Sequence, residues 1–105
     1  WSAISGPMTM YEVRLLSPAQ ADLNDIAVYT KARWGKDQAR RYVSDLRHDI
    51  EGLSRFPLMH PAYESRLGAF RKLSSGEHLI FYRVGETAID IVRILHNRMD
   101  ADDSL

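Results

Sequence analysis

The chain has 105 residues, with 14 Lys and Arg against 14 Asp and Glu, so its formal net charge is zero. That length fits one domain, and a composition 45% hydrophobic and 27% charged is that of a globular chain rather than a disordered one. No apolar run approaches the roughly 20 residues of a membrane-spanning helix, the lack of cysteine excludes disulfides, thiolate nucleophiles and Cys-based zinc sites, and the zero charge weighs against a free-standing nucleic-acid binder.

Residues 1–9 stand apart. They have neither the basic start nor the apolar centre of a secretory signal, and Gly6-Pro7 before Met8 reads as the remnant of a cleaved expression tag or as a short disordered arm. The domain is expected over residues 10–99, and the acidic residues 100–105 as a mobile tail.

From Tyr11 the chain alternates, with Tyr11, Val13 and Leu15 on one side and Glu12 and Arg14 on the other, the period of a strand. Leu16 breaks the polar side, which predicts a strand covered on both faces. Ser17-Pro18-Ala19-Gln20 carries helix-start signals: a capping hydroxyl, a proline suited to the first turn and a glutamine placed for a capping box. Leu23, Ile26, Ala27, Thr30 and Trp34 then form a helical stripe, and Gly35 ends it. A second stripe follows at once through Ala39, Tyr42, Val43, Leu46, Ile50 and Leu53, stopped by Pro57. Two amphipathic helices on so short a link must fold back as an antiparallel hairpin.

Residues 57–68, with Pro57, Pro61 and Gly68, read as a loop. Three strand-like runs follow over 69–74, 77–84 and 87–96, separated by Ser75-Gly76 and Gly85-Glu86. The Gly85-Glu86 link suits a type II′ hairpin, whose first turn residue needs positive φ. The expected fold is therefore α+β: an N-terminal strand, an antiparallel helical hairpin and a three-stranded antiparallel sheet, with the helices on one face.

Enzyme signatures are sparse. The chain has no GxGxxG, no Walker loop and no GxSxG, and His48, His60, His78 and His96 show no metal-ligand spacing, so neither metal nor cofactor is expected. The charge distribution is less ordinary. From Arg66 to Arg98 the bases are Arg66, Arg71, Lys72, Arg83, Arg93 and Arg98, against only Glu77, Glu86 and Asp90. Arginine suits bidentate contact with phosphate or carboxylate, so this segment either meets an anionic partner or decorates a solvated face. Arg93, inside Ile91-Val92-Arg93-Ile94-Leu95, requires a partner, either an internal carboxylate or something bound. His96 and Arg98 lie past the strand, where His96 is either a hydrogen-bonded strand end or a contact residue. Tyr29, Trp34 and Tyr42 fall on or near the helix stripes and read as core.

The order of elements, the ending Arg93-Ile94-Leu95-His96-Asn97-Arg98-Met99-Asp100, the stretch from Ser17 to Ile26, Arg33-Trp34-Gly35, Phe70-Arg71-Lys72-Leu73 and His78 to Val84 together resemble the ParE toxins of bacterial type II toxin–antitoxin systems. The resemblance covers about residues 10–100. It implies a RelE/ParE-like fold and a cytoplasmic toxin without catalytic residues that inhibits DNA gyrase. It also implies neutralisation by a ParD-type antitoxin, which itself carries the DNA-binding part, with no membrane contact. Target contacts would fall among Arg71, Arg83, Arg93, His96 and Arg98, and antitoxin contacts among Arg33, Trp34, Arg40, Arg41 and Arg47. The same superfamily contains RelE-like ribosome-dependent mRNA endonucleases, which pair clustered cations with a proton-transferring side chain. For that activity Arg71, Arg83, His96 and Arg98 are the candidates. The zero net charge, only three lysines and the lack of any tyrosine after Tyr82 count against it.

Overall fold

The computed structural model describes residues 11–65 and 68–98; the expectations for residues 1–9 and 100–105 lie outside the described residues. In chain order the elements are β1 (Glu12–Leu15), α1 (Ser17–Trp34), α2 (Lys36–Gly52), β2 (Ala62–Ser65), β3 (Gly68–Ser75), β4 (His78–Val84) and β5 (Ala88–His96). The strands form one five-stranded sheet in the order β1-β5-β4-β3-β2. β1 runs parallel to β5 and every other pair is antiparallel. The expected α+β architecture is present, with one strand more than the sequence pattern gave.

That strand is β2, in the segment expected to be a loop. It pairs with β3 from Ala62↔Arg71 to Ser65↔Gly68. Four residues placed after Pro61 at a sheet edge need no donation from either proline, so the prolines do not prevent pairing.

The helical hairpin forms around Gly35, whose φ of 94° provides the reversal. Its N–H closes onto Lys31 O (2.9 Å), and its own carbonyl accepts from Ala39 N–H (3.0 Å). The N-terminus of α1 departs from the capping expectation. Leu16, not Ser17, occupies the N-cap position, with no side-chain cap. Gln20 bonds forward to Asn24 instead of back (3.1 Å). Starting the helix one residue early leaves Pro18 in the first turn, where its missing N–H costs nothing. Leu16 has thus left the strand: its N–H bonds to Ile91 O (3.0 Å) as the chain turns, while Glu12 and Arg14 stay exposed, so β1 is covered on one face only. α2 ends at Gly52, and the N–H groups of Leu53, Ser54 and Arg55 bond three residues back before Pro57 is reached.

The core lies between the hairpin and one sheet face. Ala19, Leu23 and Ile26 of α1 and Leu46 and Ile50 of α2 meet Ile80 and Tyr82 of β4 and Ile89, Ile91 and Ile94 of β5. Trp34, expected on the α1 stripe, is 51% exposed. Both hairpin turns also differ from expectation. Gly85 bonds across to Ala88 O (2.8 Å) without positive φ, whereas Gly76, in the two-residue link between β3 and β4, has φ 58°. A β-bulge at Phe81/Tyr82 leaves Val92 as the extra residue of β5, which shifts the side-chain alternation along the strand.

Candidate functional site

β1 covers β5 only as far as Leu15↔Ile91. Beyond that point β5 is an open edge, and α1 passes beside it. Asp22, on the first turns of α1, fills the gap. Its Oδ2 accepts from Ile94 N–H (2.9 Å) and Arg93 Nε (2.6 Å), and its Oδ1 from Arg93 Nη2 (2.9 Å). The hydrogen bonds to Asp22, ahead of any effect of burial, raise the Arg93 guanidinium above its ordinary pKa. The charge inside β5 therefore has an internal carboxylate as partner, the first of its two expected roles. The pair joins α1 to the sheet edge.

Past this clamp the sheet edge, α1 and the start of α2 enclose a groove of about 630 Å³. Ile26, Ile94 and Leu95 supply its aliphatic lining, and Tyr29, Trp34 and Tyr42 its aromatic walls. Tyr29 and Trp34 are both more than half exposed, so the rim is apolar and open to a partner.

The far end of the groove is polar. The Tyr42 hydroxyl accepts from Glu77 N–H (2.9 Å) and lies 2.7 Å from His78 Nδ1. Burial, and secondly the neighbouring His96 imidazole, lower the His78 pKa. Burial raises that of Tyr42. Both therefore stay neutral near pH 7. His78 and His96 are cross-strand partners with rings edge to face at 5.4 Å, and His96 Nε2 faces Glu77 Oε1 at 3.4 Å. Gly76 permits this arrangement, since a Cβ there would lie 2.6 Å from the Tyr42 hydroxyl. Among the described residues no group of three or more His, Asp or Glu could hold a metal ion.

A second hollow of about 420 Å³ is built by residues of both helices. Ala27, Ala39 and Val43 line it together with Lys31, Lys36, Arg40 and Arg47, and no acid is present.

A profile described as "ParE toxin of type II toxin-antitoxin system, parDE" matches residues 13–101. The chain belongs to the ParE toxin family. It is 48% identical over 93 residues to a protein named Toxin ParE1 of Mycobacterium tuberculosis, covering 87% of this chain and 95% of that one. A Toxin ParE1 of Caulobacter vibrioides is 40% identical over 92 residues, covering 88% and 95%. Among solved structures, one titled as a chromosomal ParDE system from P. aeruginosa superposes with TM-score 0.73 at 22% identity, over 84% of this chain and 97% of that one. The RelBE2 toxin–antitoxin complex of M. tuberculosis superposes with TM-score 0.66 at 24% identity, over 85% and 93%. These two share the RelE/ParE fold.

Within this ParE-family fold the cationic candidates do not converge. Arg71 pairs in register with Tyr82, a core residue, and its Nη1 bonds to His60 O (2.7 Å) and Leu58 O (3.3 Å), bracing the loop before β2. Arg83 lies between Tyr82 and Val84, both packed toward the helices, so it points to the opposite face, over the Phe70 ring at 5.7 Å. His96 is paired with His78 at the other end of β4, and Arg98 follows it, its N–H donating to His96 Nδ1 (3.2 Å). The antitoxin-contact candidates divide too. Trp34 lines the groove with Arg33 stacked on its ring at 5.2 Å, Arg40 and Arg47 line the second hollow, and Arg41 bonds to Gln38 Oε1 (2.9 Å). Sequence reasoning missed Asp22, Asp25, Tyr42, Glu77 and His78 as groove residues. The one available signal was a tyrosine on the α2 stripe and two histidines at strand ends, whose alignment depends on register.

Proposed function

We propose that this chain is the toxin of a type II pair that inhibits DNA gyrase and is neutralised by a ParD-type antitoxin. The family match along residues 13–101, whose description names the parDE pair, carries this reading. On it the chain acts in the cytoplasm by protein–protein contact, needs no cofactor and has no catalytic residues. It binds no DNA sequence of its own and touches no membrane; among the described residues no helix is long and apolar enough to cross one.

The antitoxin lays an amphipathic segment over the hairpin, with Trp34 and Arg33 at the groove rim and Arg40, Arg41 and Arg47 along α2 as its contacts. The exposed Arg83 and Arg98, with the half-buried His96, are the target contacts. Arg71 and Arg93 support those contacts by bracing the fold, because their guanidinium groups are already engaged. The RelE-like alternative, ribosome-dependent mRNA cleavage, needs cations and a proton donor around one phosphate. The separation of Arg71, Arg83 and His96 across two faces and two ends of the sheet disfavours it.

The test is expression in a bacterium with and without the antitoxin encoded beside the chain, followed by mapping of cellular mRNA ends. Growth arrest relieved by the antitoxin, with mRNA intact, is expected. Unimpaired growth would refute the toxin reading, and new mRNA ends abolished by His96→Ala would replace gyrase with the ribosome.

A further inference from the structure

Charge and chemistry differ between the two hollows of the hairpin. The second hollow gathers four cations and no acid. The lining of the groove along β5 gathers three carboxylates, Asp22, Asp25 and Glu77, against the guanidinium of Arg93, with Arg33 stacked on the Trp34 ring at the rim. Asp22 spends both oxygens on Arg93 and Ile94. Asp25, on the next turn of α1, is exposed and forms no ion pair among the described residues. Glu77 meets the His96 imidazole at 3.4 Å, and its side chain is 66% exposed. His78 contributes no compensating charge near neutral pH, because burial and His96 hold its pKa down. The groove walled by Tyr29, Trp34 and Tyr42 is thus lined by Asp25, with no ion pair among the described residues, and by Glu77, its carboxylate held by an exposed contact to His96.

An aromatic wall beside a carboxylate suits one kind of side chain. Lysine and arginine lay an aliphatic stem on apolar surface, place their cation against ring faces and end on an acid, arginine in bidentate fashion. An acidic segment would instead meet like charge in a partly desolvated site, which is disfavoured. We infer that the groove selects a basic segment: an amphipathic helix of the antitoxin whose apolar side chains cover Ile26 and Ile94 and whose Lys or Arg side chains reach Asp25 and Glu77 between the aromatic walls. This inference rests on the reading that an antitoxin neutralises the chain. It adds the sign of the charge that the antitoxin brings to this groove, opposite to the sign that the arginines of α2 would attract.

The experiment measures affinity between the full chain and the full-length antitoxin encoded beside it, by calorimetry at low and at moderate salt. The proteins are wild type, the double variant Asp25→Asn/Glu77→Gln and the groove variant Trp34→Ala. Both carboxylate substitutions are nearly isosteric and exposed, and circular dichroism confirms folding. The expected result is about a tenfold loss of affinity in the double variant with a reduced salt dependence, in line with close charge pairs at a partly desolvated rim. Trp34→Ala weakens binding at both salt concentrations. Loss with Trp34→Ala but an unchanged affinity and salt slope in the double variant would overturn the basic-segment inference and keep the groove as the docking site. No effect of either variant would also overturn it, placing the antitoxin elsewhere. No binding to wild type would refute the neutralisation reading itself.

Discussion

Replacing Asp22 by alanine tests the joint between α1 and the sheet. The substitution removes three contacts at once: two to the Arg93 guanidinium and one to the Ile94 N–H on the open edge of β5. Removing one partner of a buried ion pair costs about 3–5 kcal/mol. Here the side chains keep 26% and 14% exposure, so the Arg93 guanidinium recovers part of its hydration. The expected loss is then about 2–3 kcal/mol, including the orphaned N–H. For a domain of this size, about 4–8 °C of melting temperature follows each kcal/mol, so Asp22→Ala is expected to melt about 10–20 °C lower. The assay is thermal and urea unfolding by circular dichroism, run with Arg93→Met and with the double variant. Because both residues act through one contact, the double variant is expected to fall short of additivity by about 1–2 kcal/mol. Strict additivity, or a melting point for Asp22→Ala within about 3 °C of wild type, would refute the assignment of this pair as the joint.

Gly76→Ala is expected to destabilise the chain by more than about 1 kcal/mol, since it forces a side chain into positive φ and places a Cβ 2.6 Å from the Tyr42 hydroxyl. Gly52→Ala, where a Cβ meets nothing within 4 Å and φ is not positive, should instead gain about 0.5–1 kcal/mol; equal effects at the two positions in urea melts would contradict this. His78 has a folded pKa below its unfolded value, so the unfolded state binds more protons between the two. Stability should therefore hold above about pH 6.5 and decline as pH falls through that value toward the folded pKa. His78→Gln should flatten that slope, and an unchanged pH profile would count against the neutral imidazole. Arg71→Ala should cost about 1–3 kcal/mol by releasing the carbonyls of Leu58 and His60. Arg83→Ala, exposed on the other face, should stay within about 0.5 kcal/mol, and equal thermal shifts for the two would contradict their placement on opposite faces.

The helical hairpin was legible because Gly35 and the two apolar stripes are local signals, each within one helix. β2 was not, because its four residues carry no periodicity of their own and are held by pairing with β3. The hairpin turns illustrate the same limit. Gly76-Glu77 and Gly85-Glu86 are the same dipeptide, yet only Gly76 adopts positive φ, a choice made by register and by the approach of Tyr42. Arg93 required a partner on sequence grounds, but Asp22 lies 71 positions away and is brought near by the crossing of α1 over the sheet edge. The scattering of Arg71 and Arg83 to opposite faces was likewise invisible until Tyr82 was known to face the helices. Sequence therefore identified which residues needed explaining, and topology decided which of them meet.

The most direct test of the account is DNA supercoiling by purified gyrase in the presence of the purified chain, with a detergent step to release any trapped cleaved DNA. The account predicts inhibition with linear DNA product, reversed by the ParD-type antitoxin. Normal supercoiling and no linear product, with protein shown to be folded and bound by that antitoxin, would contradict it.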